Sequence, residues 1–444
     1  MLVSRIRDIF LIFMALESLL IGAVLISGCS GWLSGLFSDP STPSTSKTTT
    51  APADEVKPSQ TPAPLPTMSG PRSLTVWLPP QFDPQNDSVA GQLMQAQLDA
   101  FMDANPDIVI EVRVKAASGP GGLLESLTAA SAAAPQALPA LVALSRSDLE
   151  TAAVKGLVYP IDDLTRIQSD MSWYVFARQM GTVQGSTYGL PFAGDALLLV
   201  YRPGKIGDAL LTTWENLLVR GNPMLFPAAD PNAFVTLSLY LGAGGVAQDE
   251  QGRPYLSTDI LEQVLRVYKS GARSGIFPAY LANYQNHGQT WQAFQDGEAD
   301  WCITWASDYL TDFPADVSAT TLPALGDQSY TSAAGWVWAL AQPGADQQAD
   351  GLMLAEFLVQ DAFLGLWSQA AMVLPTRTKA LDHWQDQSLQ TIIRQIALSA
   401  QIRPSNEVLS SLESVLKNAT IAVIAENAEA AAAALKAAED LGIP

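Results

Sequence analysis

Cysteine and histidine are almost absent from this chain, with two of each in 444 residues. A Cys/His zinc site needs about four soft ligands at close spacing. Cys29, Cys302, His287 and His383 cannot supply one. Charge is also scarce, at 15% of residues, and one-sided. Lys and Arg number 24 against 44 Asp and Glu, a formal net charge of −20. So acidic a chain repels phosphate backbones, which argues against nucleic acid as a partner, and it lacks a basic face for anionic lipid. Catalytic signatures are missing as well: there is no G-x-S-x-G, H-E-x-x-H, G-x-x-x-x-G-K-[ST] or G-x-G-x-x-G. No cofactor or metal is expected, and the chain does not read as an enzyme. What it has in quantity is apolar residues, 48% of the total, enough to bury a large core over two or three domains or one two-lobed body.

The N-terminus reads as an address. Arg5 and Arg7 precede an apolar stretch from Ile9 to Ile26, and Ile26-Ser27-Gly28 leads directly into Cys29. This is the shape of a secretory signal with a small-residue cleavage site. It resembles the lipobox of bacterial lipoproteins. The resemblance implies a cut after residue 28, a diacylated Cys29 and a lipid anchor on the extracytoplasmic side of the cell membrane. A cysteine so engaged leaves no disulfide. The other reading is an uncleaved transmembrane helix, interrupted by Glu17 at a cost. Both put the remaining chain outside the membrane. Residues 29–72 then form a tether, because Ser38 to Pro71 is crowded with Ser, Thr and Pro and has little to pack.

From Leu74 the pattern becomes that of a folded α/β body. Leu74–Leu78 reads as a strand ended by Pro79-Pro80, and Val89, Leu93, Ala96 and Ala100 recur at helical spacing. Ile108, Ile110, Val112 and Val114 alternate as a strand does. A glycine-rich bend at 119–122 precedes an alanine-rich helix, and Leu141–Leu144 is a third strand. Ser147 and Glu150 are spaced as a capping box for the next helix, which Gly156 would end. Further strands are expected at Leu197–Tyr201, Asp300–Thr304 and Gly335–Leu340. Helices are expected at Phe234–Gly242, Thr258–Ser270 and Thr290–Asp296, and over most of the chain beyond Asp350. Strands alternating with helices predict a mostly parallel sheet flanked by helices, with ligand off the carboxyl ends of the strands. That places Phe82, Asp83 and Arg146, in the loops after the first and third strands, among the candidates.

Several motifs now resemble a known family. Gly185-Ser186-Thr187-Tyr188-Gly189-Leu190-Pro191, then Asp195 and Leu199-Val200-Tyr201-Arg202, are similar to a crossover segment. Thr213-Trp214-Glu215-Asn216-Leu217 is similar to a helix start, Phe294, Gly297, Ala299 and Trp305 to the approach to a ligand-facing aromatic, and Leu374-Pro375-Thr376-Arg377 to a proline turn. The ordered set resembles the bacterial extracellular solute-binding proteins of the sugar-binding, maltose-binding-protein-like type. Arg202 stands where that family usually has asparagine.

The resemblance implies a two-lobed fold of the periplasmic-binding-protein kind, each lobe a mostly parallel sheet flanked by helices, with the cleft between. One lobe would hold 73–191 plus about 331–360, and the other 192–330 plus about 361–444. It implies the solute-capturing subunit of an ABC importer, a monomer that takes a sugar or oligosaccharide and delivers it to membrane permease subunits. A sensor lipoprotein serving a receptor kinase, or a surface glycan-active enzyme, are the alternatives.

The candidate ligand-binding residues are Trp305, Asp195, Trp336, Phe234, Arg146, Phe82 and Asp83. Flat aromatic surfaces suit the C–H faces of sugar rings, and fixed polar groups suit their hydroxyls. Asp195 can accept from paired hydroxyls, and Arg146 would suit hydroxyls or an anion. Trp173 and Trp338 stand beside these as aromatics to place. Arg377 reads as structural, Cys302 as a small core residue, and His287 and His383 as surface residues as readily as anything else.

Overall fold

The computed structural model describes residues 71–206, 213–326 and 329–442. The signal segment, Cys29 and the tether lie outside the described residues. Among the described residues, no helix is long and apolar enough to cross a membrane.

The first half follows the periodicities of the sequence. Strand β1 (Arg72–Leu78) is apolar and buried toward its end, and it runs parallel to β2 (Ile108–Val114) on one side and β3 (Leu141–Ser145) on the other. Helix α1 (Val89–Ala104) starts where the Ser88 hydroxyl accepts the Gly91 N–H at 3.0 Å. It stops at Asn105, because the residue before a proline is disfavoured in helix. Helix α2 (Leu123–Ala133) follows the glycine bend, and α3 (Arg146–Val154) follows β3. Gly156 closes it with φ +66°, a conformation costly for any side chain.

Two long strands tie the two halves of the sheet together. β4 (Gly189–Tyr201) starts eight residues before the strand expected at Leu197, and β8 (Thr331–Leu340) starts four before the one expected at Gly335. Between them come helix α4 (Trp214–Leu218), β5 (Met224–Leu225), α5 (Phe234–Gly242), α6 (Thr258–Ser274), α7 (His287–Gln295), β6 (Trp301–Trp305), α8 (Ala306–Asp312) and β7 (Ser318–Thr320). The sheet order is β2-β1-β3-β8-β4-β6-β5. β1–β2, β1–β3 and β5–β6 are parallel, as the strand–helix alternation predicts, whereas β4 and β8 run antiparallel to each other and to their neighbours β6 and β3. Glycine and proline disguise the start of β4 as a turn. Pro191 is tolerated because it stands beside a bulge: Ala193 pairs with Trp336 and Pro191 with Val337, so Phe192 has no opposite residue.

After β8 the chain is mostly helical: α9 (Ala345–Leu358), α10 (Asp361–Ala370), α11 (Gln387–Ser399), α12 (Asn406–Ile424) and α13 (Ala430–Leu441), with a short strand β9 (Ala400–Ile402) parallel to the start of β8. Helix α10 packs on α1, and its Trp367 sits 5.5 Å from Phe82 between ring centroids. Helices α12 and α13 pack on α6. Trp338 is buried and stacked on Phe192 at 4.3 Å.

Arg377 is fully enclosed, as a structural residue should be. It ion-pairs with Asp361 at 2.5 Å and Asp170 at 2.5 Å, and its guanidinium lies 4.9 Å above the Trp173 ring. Cys302 is a free, buried thiol inside β6, and burial pushes its pKa up. It behaves as a small core side chain.

Candidate functional site

The carboxyl end of β3 passes directly into α3, and the cap of that helix differs from expectation. Ser145, not Ser147, accepts the Asp148 N–H at 3.1 Å. The strand runs one residue beyond Leu144, so the cap falls on the first residue to leave it. Glu150 is thereby released from its own helix. Its Oε1 accepts the Asn406 N–H at 2.9 Å and so caps α12, while the Asn406 amide donates to the Ser147 carbonyl at 2.9 Å. Two helix starts from distant parts of the chain are clasped together here.

Arg146 is the first residue of α3. Its nearest ion-pair partner is Glu150, at 3.9 Å. Its Nε and Nη1 are buried without a hydrogen-bond partner. Burial pulls its pKa down and Glu150 only partly opposes this. A cavity of about 140 Å³ adjoins it, walled by Ser145, Ser147, Trp336, Arg403 and Asn406 among others.

Arg403 connects this cavity to an aromatic group. Its guanidinium lies 4.4 Å above the Phe234 ring, and its Nη1 is 3.2 Å from Glu413. Phe234 meets Trp305 edge to face at 5.0 Å. Asp230 holds the turn before α5, accepting the Phe234 N–H at 3.1 Å and the Asn232 N–H at 3.0 Å. Trp305 ends β6, half-buried, and His287 sits 5.7 Å from it. His287 is buried rather than on the surface, because its Nδ1 lies 3.1 Å from the Ile303 carbonyl. A carbonyl only accepts, so Nδ1 carries the proton. Burial lowers the His287 pKa, which keeps the ring neutral.

Asp195 lies on β4 opposite Ala334. Its Oδ1 accepts the Ala196 and Ser307 N–H groups at 2.9 and 3.1 Å, and its Oδ2 accepts the Ser307 hydroxyl at 2.6 Å. Burial nevertheless dominates and pushes its pKa up to about 7, with the hydrogen bonds opposing and the nearby Asp308 charge adding slightly. The carboxylate is thus occupied in joining β4 to the start of α8.

The structure brings Arg146, Trp336, Phe234 and Trp305 to one connected surface through Arg403. Phe82 stands behind Trp336, edge to face at 5.5 Å, and is only 5% exposed, so it is a packing residue of this surface. The Asp83 carboxylate is turned to the Gln85 N–H at 2.9 Å in a local turn. Arg403, Asp230 and Glu413 are the residues that sequence reasoning missed. The available signal was the Pro404-Ser405-Asn406 helix start, which nothing nearby in the chain links to β3. Among the described residues, no group of three or more His, Cys, Asp or Glu is placed to hold a metal ion.

A family model described as bacterial extracellular solute-binding protein matches residues 96–391. A search of curated proteins finds no match. Among solved structures, the sugar-binding protein MalE from Xanthomonas citri is 16% identical, with a TM-score of 0.69, 84% of this chain covered and 98% of that one. Maltose-bound MalE3 of T. maritima is 18% identical, with a TM-score of 0.61, 83% and 99% covered. A Thermotoga lettingae solute-binding protein bound with alpha-D-tagatose is 18% identical, with a TM-score of 0.60, 83% and 98% covered. These structures share the two-lobed fold in which a mixed sheet is flanked by helices. They are binding proteins and not enzymes.

Proposed function

The chain belongs to the bacterial extracellular solute-binding proteins, and we propose that it captures a sugar or oligosaccharide in a cleft between two lobes and hands it to the permease of an ABC importer. The observation that carries the ligand class is the linked set Trp336, Arg146, Arg403, Phe234 and Trp305. It offers half-buried flat aromatic faces beside guanidinium donors, the combination that polyhydroxylated rings require. Relatives of the same fold bind maltose and tagatose, which supports the same reading.

In this reading β4 and β8 form the hinge, being the strands whose ends pair in different halves of the sheet. Ligand favours the closed arrangement of the lobes by binding it better, and the permease recognises that arrangement. One lobe comprises 73–191 with about 331–360, and the other 192–330 with the C-terminal helices. The packing of α10 on α1 favours moving 361–370 into the first lobe. Cys29 anchors the chain by lipid, and the residues between it and the start of β1 at Arg72 hold the body off the membrane.

A thermal-shift screen against mono- and oligosaccharides tests the reading. A sugar at 100 times its Kd stabilises by about 2.7 kcal/mol. Trp305→Ala should lose that shift while its ligand-free transition stays close to the wild type. A solute consumed during the assay, or a panel of sugars without effect, would refute the proposal.

A further inference from the structure

We infer that the captured solute carries an acidic group, a carboxylate or a phosphate, which seats in the cavity between the starts of α3 and α12. The inference rests on the binding-protein reading above and narrows its ligand to acidic saccharides.

Two guanidiniums, Arg146 and Arg403, and one carboxylate, Glu150, wall the cavity. Arg403 is already matched, by Glu413 at 3.2 Å and by the Phe234 ring. Glu150 divides its attention: Oε1 takes the Asn406 N–H at 2.9 Å, and Oε2 is 3.9 Å from Arg146, too far for a hydrogen bond. Arg146 is therefore left with two buried donors, Nε and Nη1, that no hydrogen bond satisfies, and with Glu150 as a distant countercharge. Such groups are costly unless a partner arrives. An anion supplies what is lacking, because hydrogen bonds between ions of opposite charge are the stronger kind.

The surroundings agree with a ligand rather than with packing. The space of about 140 Å³ has room for an acidic group. The starts of α3 and α12 both meet here, and their positive dipole ends add to the attraction. Trp336 forms one wall and is half-buried, so a ring bearing the acid can lie against it. Arg403 leads from the cavity to Phe234 and Trp305, where further sugar units have aromatic surface.

Binding of matched neutral and acidic probes tests this. The probes are hexoses, hexuronates and hexose 6-phosphates of the gluco, galacto and manno series, their short oligomers, and inorganic phosphate. They are measured by calorimetry on wild type, Arg146→Gln and Arg146→Lys. We expect an acidic probe to bind at least about tenfold tighter than its neutral counterpart. Affinity should fall as salt rises. The preference should shrink to about twofold or less in Arg146→Gln and survive in part in Arg146→Lys. The Arg146→Gln protein should melt close to wild type without ligand, because Nε and Nη1 make no hydrogen bond that the substitution would remove, which separates lost recognition from lost folding.

Equal or tighter binding of the neutral partner would overturn the inference and leave the sugar reading standing, as would a preference unaffected by Arg146→Gln. Inorganic phosphate binding as tightly as any hexose phosphate would confirm the anion seat and overturn the sugar reading. Silence from every probe would overturn both.

Discussion

Replacing Asp195 by Asn should abolish a pH dependence of stability that runs opposite to ordinary acid denaturation. Asp195 titrates near its ordinary value of 3.8 when unfolded, and near about 7 when folded. Between those values the folded chain holds a proton that the unfolded chain has released. Stability therefore falls as pH rises through this window, and the effect levels off beyond both ends. The shift corresponds to about 4 kcal/mol at about 1.4 kcal/mol per unit. A body of this size has an unfolding entropy that makes each kcal/mol worth on the order of 1–1.5 °C.

The wild type should thus lose about 5 °C relative to Asp195→Asn between pH 4 and pH 7.5. Asparagine mimics the protonated acid, which can still hydrogen-bond Ser307 but carries no charge to desolvate. Differential scanning calorimetry of both proteins across that range reads the difference directly, with the other titrating groups cancelling. Parallel curves would refute the reasoning, and would mean that the three hydrogen bonds to this carboxylate outweigh its burial.

Trp338→Ala should cost about 3–5 kcal/mol, since the ring is buried and stacked on Phe192 at 4.3 Å. Trp336→Ala, two residues away and half-buried, should cost distinctly less yet weaken solute binding; urea melts of both variants with a binding titration separate the two roles. Arg377→Ala should destabilise by about 3 kcal/mol, because Asp361 and Asp170 lose their countercharge. Asp170 is the more exposed of the two and so limits the loss; Arg377→Lys should recover only part of it in the same melts. Cys29→Ser should move the protein from the membrane fraction to the soluble fraction in cells, measured by fractionation and blotting, and a variant that stays membrane-bound would favour an uncleaved helix.

Much of the first half of the body was legible because its signals are local. The alternation of Ile108, Ile110 and Val112, the Asn105-Pro106 stop and the glycine at 156 each act through their immediate neighbours. The parts misread were those where a distant partner decides. The strand expected from Leu197 starts at Gly189, because β8 lies alongside and pairs Gly189 to Ala196 as well. Ser147 and Glu150 have capping-box spacing, yet Glu150 turns to α12, more than 250 residues away. His287, which the sequence left open between surface and interior, is buried with its Nδ1 3.1 Å from the Ile303 carbonyl on β6.

The amino-acid sequence by itself determined the α/β class, the order of its elements and, through the ordered motifs from Tyr188 to Arg377, the family. These follow from periodicity, turn chemistry and composition, all of which are properties of short stretches of chain. Only the tertiary structure decided which side chains share a surface. It joined Arg146 to Arg403 and Phe234, engaged Asp195 with Ser307, set Phe82 behind Trp336, and left two N–H donors of Arg146 without a hydrogen bond. The reason is that a binding surface here is built from the ends of strands and the starts of helices far apart in the chain. Their meeting is fixed by the packing of the whole sheet, and no local pattern records it.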